Sequence, residues 1–387
     1  MGNSLFVDVH ILQTVPPSNI NRDDTGSPKS ARFGGVKRAR VSSQAWKKAT
    51  RDLFPEYLDT DALGIRTKHV VRLVAQKALN LEPSLDESYA WDKAKEVFTS
   101  YCKRGKNAPK FENADPYQLK AIHFTSLPEI DSLARCVVGM EDIDEFKKVA
   151  KGKKLARSAS RDIVDLAMFG RMVATAPDLN IDASVQVAHA IGIGSMQPEF
   201  DYFTALDDLA PEDNAGAAMI ETTEFTSATL YRYADVDVLH LRDNIGSTDS
   251  AVAALSAFLR AFVMSMPTGK QNSFANRTLP AAVVIQLRNT QPVSLVNAFE
   301  TPVEAKNGRS QIAIGCERLA DQEKAIDSAF GMFPEKSFIV IGSSDANTLL
   351  DAMPEAVACN LEMAVKGVTD ACVDYLEAHD RQLEEEG

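Results

Sequence analysis

Sequence patterns typical of β-strands occur in two widely separated parts of the chain, and this separation limits the folds that the chain can adopt. Residues 5–15 alternate between apolar and other side chains, with Leu5 and Val9 on one face, which predicts a strand at the centre of a sheet. Strand-like sequence returns only in residues 184–236, and helical patterns fill most of residues 57–170. This order predicts an α+β fold in which a sheet domain carries a helical insertion.

The second half of the chain supplies the remaining strands. Two strand-like runs within residues 184–236 flank an acidic, Gly-containing middle, which predicts a long β-hairpin arm. Residues 16–41 hold three prolines and three glycines, which predicts a long loop. Other expected elements are a helix at 250–266, strands at 281–288 and 337–342, and a C-terminal helix near 346–378.

Charge is strongly segregated along the sequence. The net charge of −12 would ordinarily argue against a nucleic-acid partner, but residues 25–51, 147–161 and 260–299 contain no Asp or Glu. These three segments hold 19 of the 42 Lys and Arg residues. Such patterning predicts basic surfaces that face a polyanion and an acidic exterior that discourages non-specific binding.

Several classes of protein are disfavoured. The five cysteines include no C-x-x-C pair, which fits a reducing cytosol and predicts neither disulfides nor a thiolate zinc site. The N-terminus lacks a signal-peptide pattern, and the most apolar long window, residues 251–264, is too short to span a bilayer. We therefore expect a cytoplasmic protein with no membrane partner. Motifs for zinc hydrolysis, phosphate binding or a nucleophilic serine do not occur, so no catalytic residue, cofactor or metal is predicted.

The first basic segment combines a capped helix with a basic face. Ser42 and Ser43 are good N-caps, and residues 43–54 have helical spacing with no breaker before Pro55. The amide groups at the start of this helix suit a phosphate, as do the small residues that interrupt the charges of residues 29–51. At 100° per residue, one arc of the helix carries the polar and basic side chains Gln44, Lys47, Lys48 and Arg51.

The other two basic segments are less specific. The lysine run at 147–161 fits a solvated helix end as well as it fits a second phosphate-binding surface. The turn at 267–277 carries amide and basic side chains that could bond sugars and phosphates.

The residues from Asn21 to Arg51 resemble the N-terminal signature of the CasC-type backbone subunit of the type I-E CRISPR Cascade complex. Three substitutions depart from the family pattern without removing a charge: Ala45, Trp46 and Tyr202 stand where Ser, Leu and Trp are expected. Four later segments agree with the family in order and approximate spacing: FGRM at 169–172, residues 188–209, EFTSATLYRYADVDV at 224–238 and PTGKQNSFAN at 267–276.

The resemblance implies a hand-like fold. An RRM-like (ferredoxin-like) palm sheet would comprise residues 1–56 and 171–387, with a β-hairpin thumb at about 190–228 and helical fingers at 57–170. Copies of the chain would stack along a guide RNA (crRNA), with the thumb flipping out one nucleotide at regular intervals so that the guide pairs with target DNA in short segments. The implied partners are crRNA, target DNA, further copies of the chain and other Cascade subunits, and catalysis belongs to other subunits.

The resemblance and the basic pattern together name candidate site residues. Met172 and Phe203 would wedge against bases at the kink, and Tyr202 is also a predicted RNA-binding residue. The lysine run would contact DNA through Lys147, Lys148, Lys151, Lys153 and Lys154. The remaining predicted RNA-binding residues are Asn21, Arg22, Lys29, Lys37, Arg38, Arg40, Ser42, Gln44, Lys47, Lys48, Arg51, Lys270, Gln271 and Asn276.

Two alternatives stay open on the sequence. The chain could be a metal-independent RNA-processing nuclease that uses His10 or His189 as acid or base, although a histidine in a predicted strand is more often structural. It could also be a self-assembling protein whose basic segments bind only acidic neighbours.

Overall fold

The computed structural model describes residues 4–150, 163–205 and 219–386. The described residues fall into two compact units. The first is built from the segments 1–53, 187–235 and 258–387, and the second from 54–186 and 236–257. Strands and helices are mixed in the chain, as the predicted α+β class requires. The division of these units into palm, thumb and fingers stays a prediction.

The strands lie mainly in the first unit. They are Phe6–Ser18 (β1), Ser30–Phe33 (β2), Val36–Val41 (β3), Ile65–Thr67 (β4), His123–Thr125 (β5), Val185–Val187 (β6), Ala190–Gly192 (β7), Glu199–Ala205 (β8), Met219–Asp237 (β9), Ala282–Arg288 (β10), Lys336–Ile341 (β11) and Val357–Ala358 (β12).

The helices range in length from 4 to 26 residues. They are Ser43–Leu53 (α1), Val70–Leu81 (α2), Glu87–Cys102 (α3), Leu127–Val137 (α4), Ile143–Ala150 (α5), Val164–Phe169 (α6), Val238–Ile245 (α7), Thr248–Met264 (α8), Gln271–Phe274 (α9), Gln311–Phe330 (α10), Thr348–Ala352 (α11) and Leu361–Glu386 (α12).

The main sheet has the strand order β12-β11-β10-β1-β9-β7-β3-β2, with β8 also paired to β9. Strand β1 lies inside the sheet, as predicted. It pairs with β10 in antiparallel register from Phe6 opposite Arg288 to Leu12 opposite Ala282. Strand β12 pairs with β11 in parallel, whereas β10 pairs antiparallel with both β1 and β11. The sheet is therefore mixed, and its first strand is a central one.

Helices α10 and α12 pack against the two faces of this sheet. Ile339 of β11 joins an apolar cluster with Cys316 and Leu319 of α10. The neighbouring Phe338 points to the other face, where a Cβ on Gly367 of α12 would lie only 2.5 Å from its ring. Helices thus cover both faces of this part of the sheet. In agreement with this, residues 7–13 of the central strand β1 are all buried.

Residues 30–41 correct the prediction of a continuous loop. Ser30–Phe33 and Val36–Val41 form a hairpin in which Phe33 lies opposite Val36. The two residues between them, Gly34 and Gly35, have φ angles of 58° and 81°. Two consecutive positive φ angles define the turn that matches the twist of a hairpin, so the Gly-Gly pair connects strands here.

The second half contains two further corrections. The predicted helix near 346–378 is two helices, α11 and α12, separated by the short strand β12. Pro354 lies between them, and proline cannot continue a helix. Helix α10 falls in a stretch for which no element was predicted.

The second unit is mostly helical, but it also contains a two-stranded sheet of β4 and β5 that the sequence did not indicate. Helices α2, α3 and α4 enclose its apolar core, which includes Val74, Phe98 and Leu133. Within the stretch of residues 57–170 that was predicted to be mostly helical, residues 127–150 form two helices, α4 and α5. Gly139, with a φ of 77°, follows the end of α4 and allows the chain to turn.

A buried ion cluster lies between β1, β10 and α10. The Arg288 guanidinium is 3.0 Å from Asp8 and 3.3 Å from Asp327, and Glu323 lies beside it. Tyr233 donates a 2.8 Å hydrogen bond to Asp8. One cation therefore faces three carboxyl groups. Burial, the largest effect, raises the pKa of Asp8 to about 6 and that of Glu323 to about 7.

We predict that Glu323→Gln weakens the pH dependence of stability. Because the pKa of Glu323 is raised on folding, the folded chain holds more protons than the unfolded chain between about pH 4.5 and 7, and stability falls as pH rises through that window. The substitution removes this loss, worth about 3 kcal/mol at most. Urea unfolding at pH 5 and pH 8 measures it.

The control for this experiment is Glu317→Gln, which alters a more exposed carboxyl of the same helix that pairs with Arg309. It should unfold with the parental pH dependence. Other buried groups, such as His10, titrate in every variant and cancel in the comparison. Identical pH dependence in Glu323→Gln and the parent would refute the role assigned to Glu323.

Candidate nucleic-acid interface

Segments that are far apart in sequence meet in the first unit. The turn that carries Lys270 packs against Ile20, shortly before the first basic segment, because a Cβ on Gly269 would lie 2.4 Å from the Ile20 carbonyl oxygen. Residues Ala49 and Asp52 of α1 line a cleft of about 140 Å³ together with residues 265–268, Gln271, Asn276 and Arg277. Basic residues from these three segments thus lie on one unit.

Backbone and side-chain hydrogen bonds hold the first basic segment in place. The Ser42 N–H donates to Asn21 Oδ1 at 2.9 Å, and the Lys29 N–H donates to the Asn21 carbonyl at 2.9 Å. The Arg40 N–H donates to the Lys29 carbonyl, also at 2.9 Å. Asn21 therefore connects the loop to the start of α1, and its side-chain oxygen already has a donor.

Helix α1 confirms the capped amphipathic pattern. The Ala45 N–H donates to Ser42 Oγ at 3.3 Å, which identifies Ser42 as the N-cap. Trp46, Ala49 and Thr50 form the buried side of the helix. The predicted contact residues are exposed or half-buried: Gln44, Lys47, Lys48 and Arg51.

One intrahelical ion pair lies on this face. Lys48 Nζ is 2.5 Å from the Asp52 carboxylate one turn further on. Exposed pairs of this kind contribute little to stability, so the ammonium can exchange the carboxylate for another anion at small cost.

A buried arginine anchors α1 to the sheet, and the sequence reading missed it. The Arg232 guanidinium carbon lies 3.7 Å from the centroid of the Trp46 ring and 4.7 Å from that of Phe262. Arg232 is 1% exposed, and it donates to Gln13 Oε1 at 2.6 Å. Burial lowers its pKa to about 9. The only available sequence signal was a tryptophan where the family pattern has leucine.

Three predicted contact residues, Arg38, Ser42 and Asn276, are buried. Ser42 is the N-cap of α1, and we exclude the other two from the interface. Arg38 is fully buried, and its guanidinium donates to the carbonyl oxygens of Gly192, Ile193, Phe299 and Glu300 at 2.7–3.0 Å. These bonds occupy the groups that a phosphate would need. Asn276, within the 267–277 turn, is 2% exposed.

The other members of the predicted set reach the surface. Arg22, Lys37 and Gln271 are exposed, whereas Lys29, Arg40 and Lys270 are half-buried. This mixture of amide and cationic groups suits contacts to a sugar-phosphate backbone.

Aromatic side chains project from the β8–β9 hairpin. Tyr202, opposite Thr222, is 63% exposed, and Phe203, opposite Glu221, is half-buried. Phe200 lies two residues before Tyr202, on the same face, and is 68% exposed. The sequence prediction did not include Phe200, although its alternation with Tyr202 was visible.

Met172 belongs to the second unit and is 84% exposed. Its neighbours hold it in place. On one side, the guanidinium of Arg171 forms a buried ion pair with Glu129 at 3.0 Å. On the other side, the Val173 side chain is buried and only 7% exposed. The Arg171 N–H also bonds the Ile181 carbonyl at 2.9 Å. An apolar side chain this exposed on a firmly held loop is available to a partner.

The two histidines of the nuclease alternative have different environments. His10 is fully buried between Tyr231 and Tyr233, and its Nδ1 lies 2.9 Å from the Tyr231 hydroxyl. Burial lowers the pKa of His10 to about 3. Because the side chain is fully buried, it cannot contact an RNA substrate. His189 is exposed and lies beside Arg40. Burial and the nearby charges of Arg40 and Lys29 lower its pKa.

The lysine run is only partly described. Lys147 Nζ bonds Ser100 Oγ at 2.6 Å and Asp144 at 3.1 Å, so this lysine is engaged within the second unit. Lys148 follows it in α5, while Lys151, Lys153 and Lys154 lie outside the described residues.

No cluster of His, Cys, Asp or Glu in residues 4–150, 163–205 and 219–386 is arranged to hold a metal ion. Within the same ranges, no helix is both long and apolar enough to cross a membrane.

A sequence model of the CT1975-like protein family matches residues 7–366. The chain belongs to this family. Its fold agrees with that of a chain in a solved "CRISPR RNA-guided surveillance complex, pre-nicking", with a TM-score of 0.79 and 32% identity over 95% of this chain and 100% of the other. A chain in a second solved "CRISPR RNA-guided surveillance complex" gives a TM-score of 0.68 and 26% identity over 94% and 99%.

The resemblance to surveillance-complex subunits that the sequence suggested is thus confirmed for this family member. No curated protein sequence is significantly similar to the chain.

Proposed function

We propose that the chain is a non-catalytic, crRNA-binding backbone subunit of a type I-E Cascade complex in the cytoplasm. Several copies would stack along one guide RNA together with other Cascade subunits. The full-length similarity to chains of RNA-guided surveillance complexes supports the class of complex. The RNA-binding role is supported mainly by one observation. The first basic segment, including α1, and the 267–277 turn lie together on one unit.

The proposal also covers the parts of the hand. We assign the sheet of the first unit to the RRM-like palm, the β8–β9 hairpin to the thumb and the helical second unit to the fingers. Backbone contacts from the palm give affinity without sequence preference, and base pairing with target DNA supplies the specificity. The acidic remainder of the chain, which leaves the net charge at −12, disfavours binding to unrelated nucleic acid.

The basic face of α1 gives the first test. We predict that Lys47→Glu with Arg51→Glu abolishes stable binding of single-stranded RNA while the protein stays folded, because Trp46 and Ala49 on the opposite side hold the helix. The slope of log affinity against log salt should fall by about 0.7 for each lost phosphate contact. Fluorescence anisotropy over a salt series measures both quantities.

A control with the same change of net charge is Lys324→Glu with Lys366→Glu, on exposed positions of α10 and α12. It should bind RNA as the parent does. Equal losses in the two variants would mean that only net charge matters, and unchanged affinity in the α1 variant would remove this face from the interface.

The kink in the guide gives the second test. We propose that Met172 and Phe203 wedge against bases where one nucleotide is flipped out. Replacing both with alanine should leave most RNA affinity in place, because the backbone contacts remain, and should remove stacking worth roughly 1–3 kcal/mol per base. Chemical probing of the bound guide should then lose its periodic reactivity.

Met140 and Phe333 provide a matched control, because they are a methionine and a phenylalanine that are 59% and 63% exposed elsewhere in the chain. Their double alanine variant should keep the periodic pattern. A pattern that persists in the Met172 and Phe203 variant would show that other residues form the wedge.

The lysine run gives the third test. We propose that it attracts duplex DNA before the guide pairs, since repeated weak contacts along a filament gain strength through avidity. Replacing Lys148, Lys151, Lys153 and Lys154 with glutamine should slow association of the assembled complex with duplex DNA at low salt and leave assembly on RNA unchanged. Lys147 is left intact because Ser100 and Asp144 already bind it.

Four exposed lysines of the same unit serve as the control: Lys103, Lys106, Lys110 and Lys120. Their glutamine variant should associate with DNA at the parental rate. Failure of the first variant to assemble on RNA would instead place the run in the guide channel.

A further inference from the structure

His189 lies in the short connection between β6 and β7 and is exposed. Its Nδ1 atom is 3.2 Å from Nη1 of Arg40 and 3.2 Å from the backbone nitrogen of Ser43, the first residue of α1. The imidazole therefore connects the first basic segment to the start of the basic helix.

These two neighbours determine where the imidazole carries its proton. A guanidinium and a backbone N–H can only donate hydrogen bonds, so the Nδ1 atom between them must accept and cannot carry a proton. The neutral ring then has its proton on Nε2. Within the described part of the chain, Nε2 has no hydrogen-bond partner, and the ring is open to solvent. His189 thus presents one N–H donor outward.

The surroundings of this donor favour an anion. Lys29 and Arg40 are the charged groups close enough to influence the ring. Among the described residues, neither forms an ion pair with a carboxylate that would neutralise it. Two cations and one outward N–H donor make a binding place for an oxyanion, and on the proposed palm the available oxyanion is a phosphodiester of single-stranded RNA.

We propose that His189 binds the RNA backbone as a neutral residue, with Nε2–H donating to a phosphate oxygen that Arg40 and Lys29 also attract. This inference rests on the proposed function. The sequence reading considered His189 only as an acid or base in a nuclease. In the structure its one basic nitrogen, Nδ1, is already used by two donors, which suits binding better than proton abstraction.

Two amide substitutions separate this role from a structural one. In His189→Asn, the side-chain oxygen can occupy the position of Nδ1 and keep the bonds to Arg40 and Ser43, but the outer donor is lost. In His189→Gln, the amide NH₂ can occupy the position of Nε2, so the outer donor is kept and the inner acceptor is lost. Thermal unfolding of both variants verifies that they fold.

Binding of a fluorescent single-stranded RNA to the full chain measures the effect. We expect His189→Asn to lower the affinity about tenfold, as loss of one hydrogen bond to a charged group does, and His189→Gln to stay within about threefold of the parent. The salt slope should stay the same in His189→Asn, because a neutral donor releases no counterion. This separates it from Lys47→Glu with Arg51→Glu, which lowers the slope.

Affinity of folded His189→Asn within about twofold of the parent would overturn the inference. A salt slope lowered by about 0.7 in that variant would overturn the neutral form, because it would mean that an imidazolium had been lost. In either case RNA binding by the parent would leave the proposed function standing. If the folded parent binds no RNA, the proposed function and this inference both fail.

Discussion

The pairing of β1 between β9 and β10 is the constraint on which the rest of the first unit depends. Because helices cover the sheet on both faces, the polar residues of this strand must find partners inside the protein. Asp8 does so with Arg288 of the adjacent strand, and His10 with Tyr231 and Tyr233 of β9. These contacts fix the register of three central strands, since a shift by one residue would bring Asp8 and His10 to the other face.

Contacts with this sheet determine the position of helix α1. Arg232 projects from β9 onto the Trp46 ring, so α1 is held by a buried cation, two aromatic rings and the side chain of Gln13 on β1. A buried cation with a lowered pKa is costly unless aromatic faces and hydrogen bonds offset the loss of water. The anchor occupies one side of α1 and leaves Gln44 and Lys48 exposed on the other.

The candidate interface is built around hydrogen bonds that also stabilise the fold. Asn21, Ser42 and His189 each hold the backbone at the start of α1, and the cations of Lys29 and Arg40 lie around these bonds. Arg38, in the same strand as Arg40, serves the fold alone by binding four carbonyl groups. The first basic segment therefore contains residues that stabilise the fold, such as Arg38, and residues that are accessible to a ligand, such as Lys29 and Arg40.

Local patterns in the sequence were enough to predict β1, the capped helix α1 and its basic face, because strand alternation, helix spacing and capping depend on neighbours in the chain. The family was indicated by the resemblance of residues 21–51 and the later segments. They could not show that Gly34 and Gly35 connect a hairpin, that Arg38 is buried, or that Arg232 lies on Trp46. The donors that converge on His189 come from residues about 150 positions away. Whether a charged side chain is buried, and which atom it meets, depends on strand pairing between distant segments, so only the tertiary structure decided it.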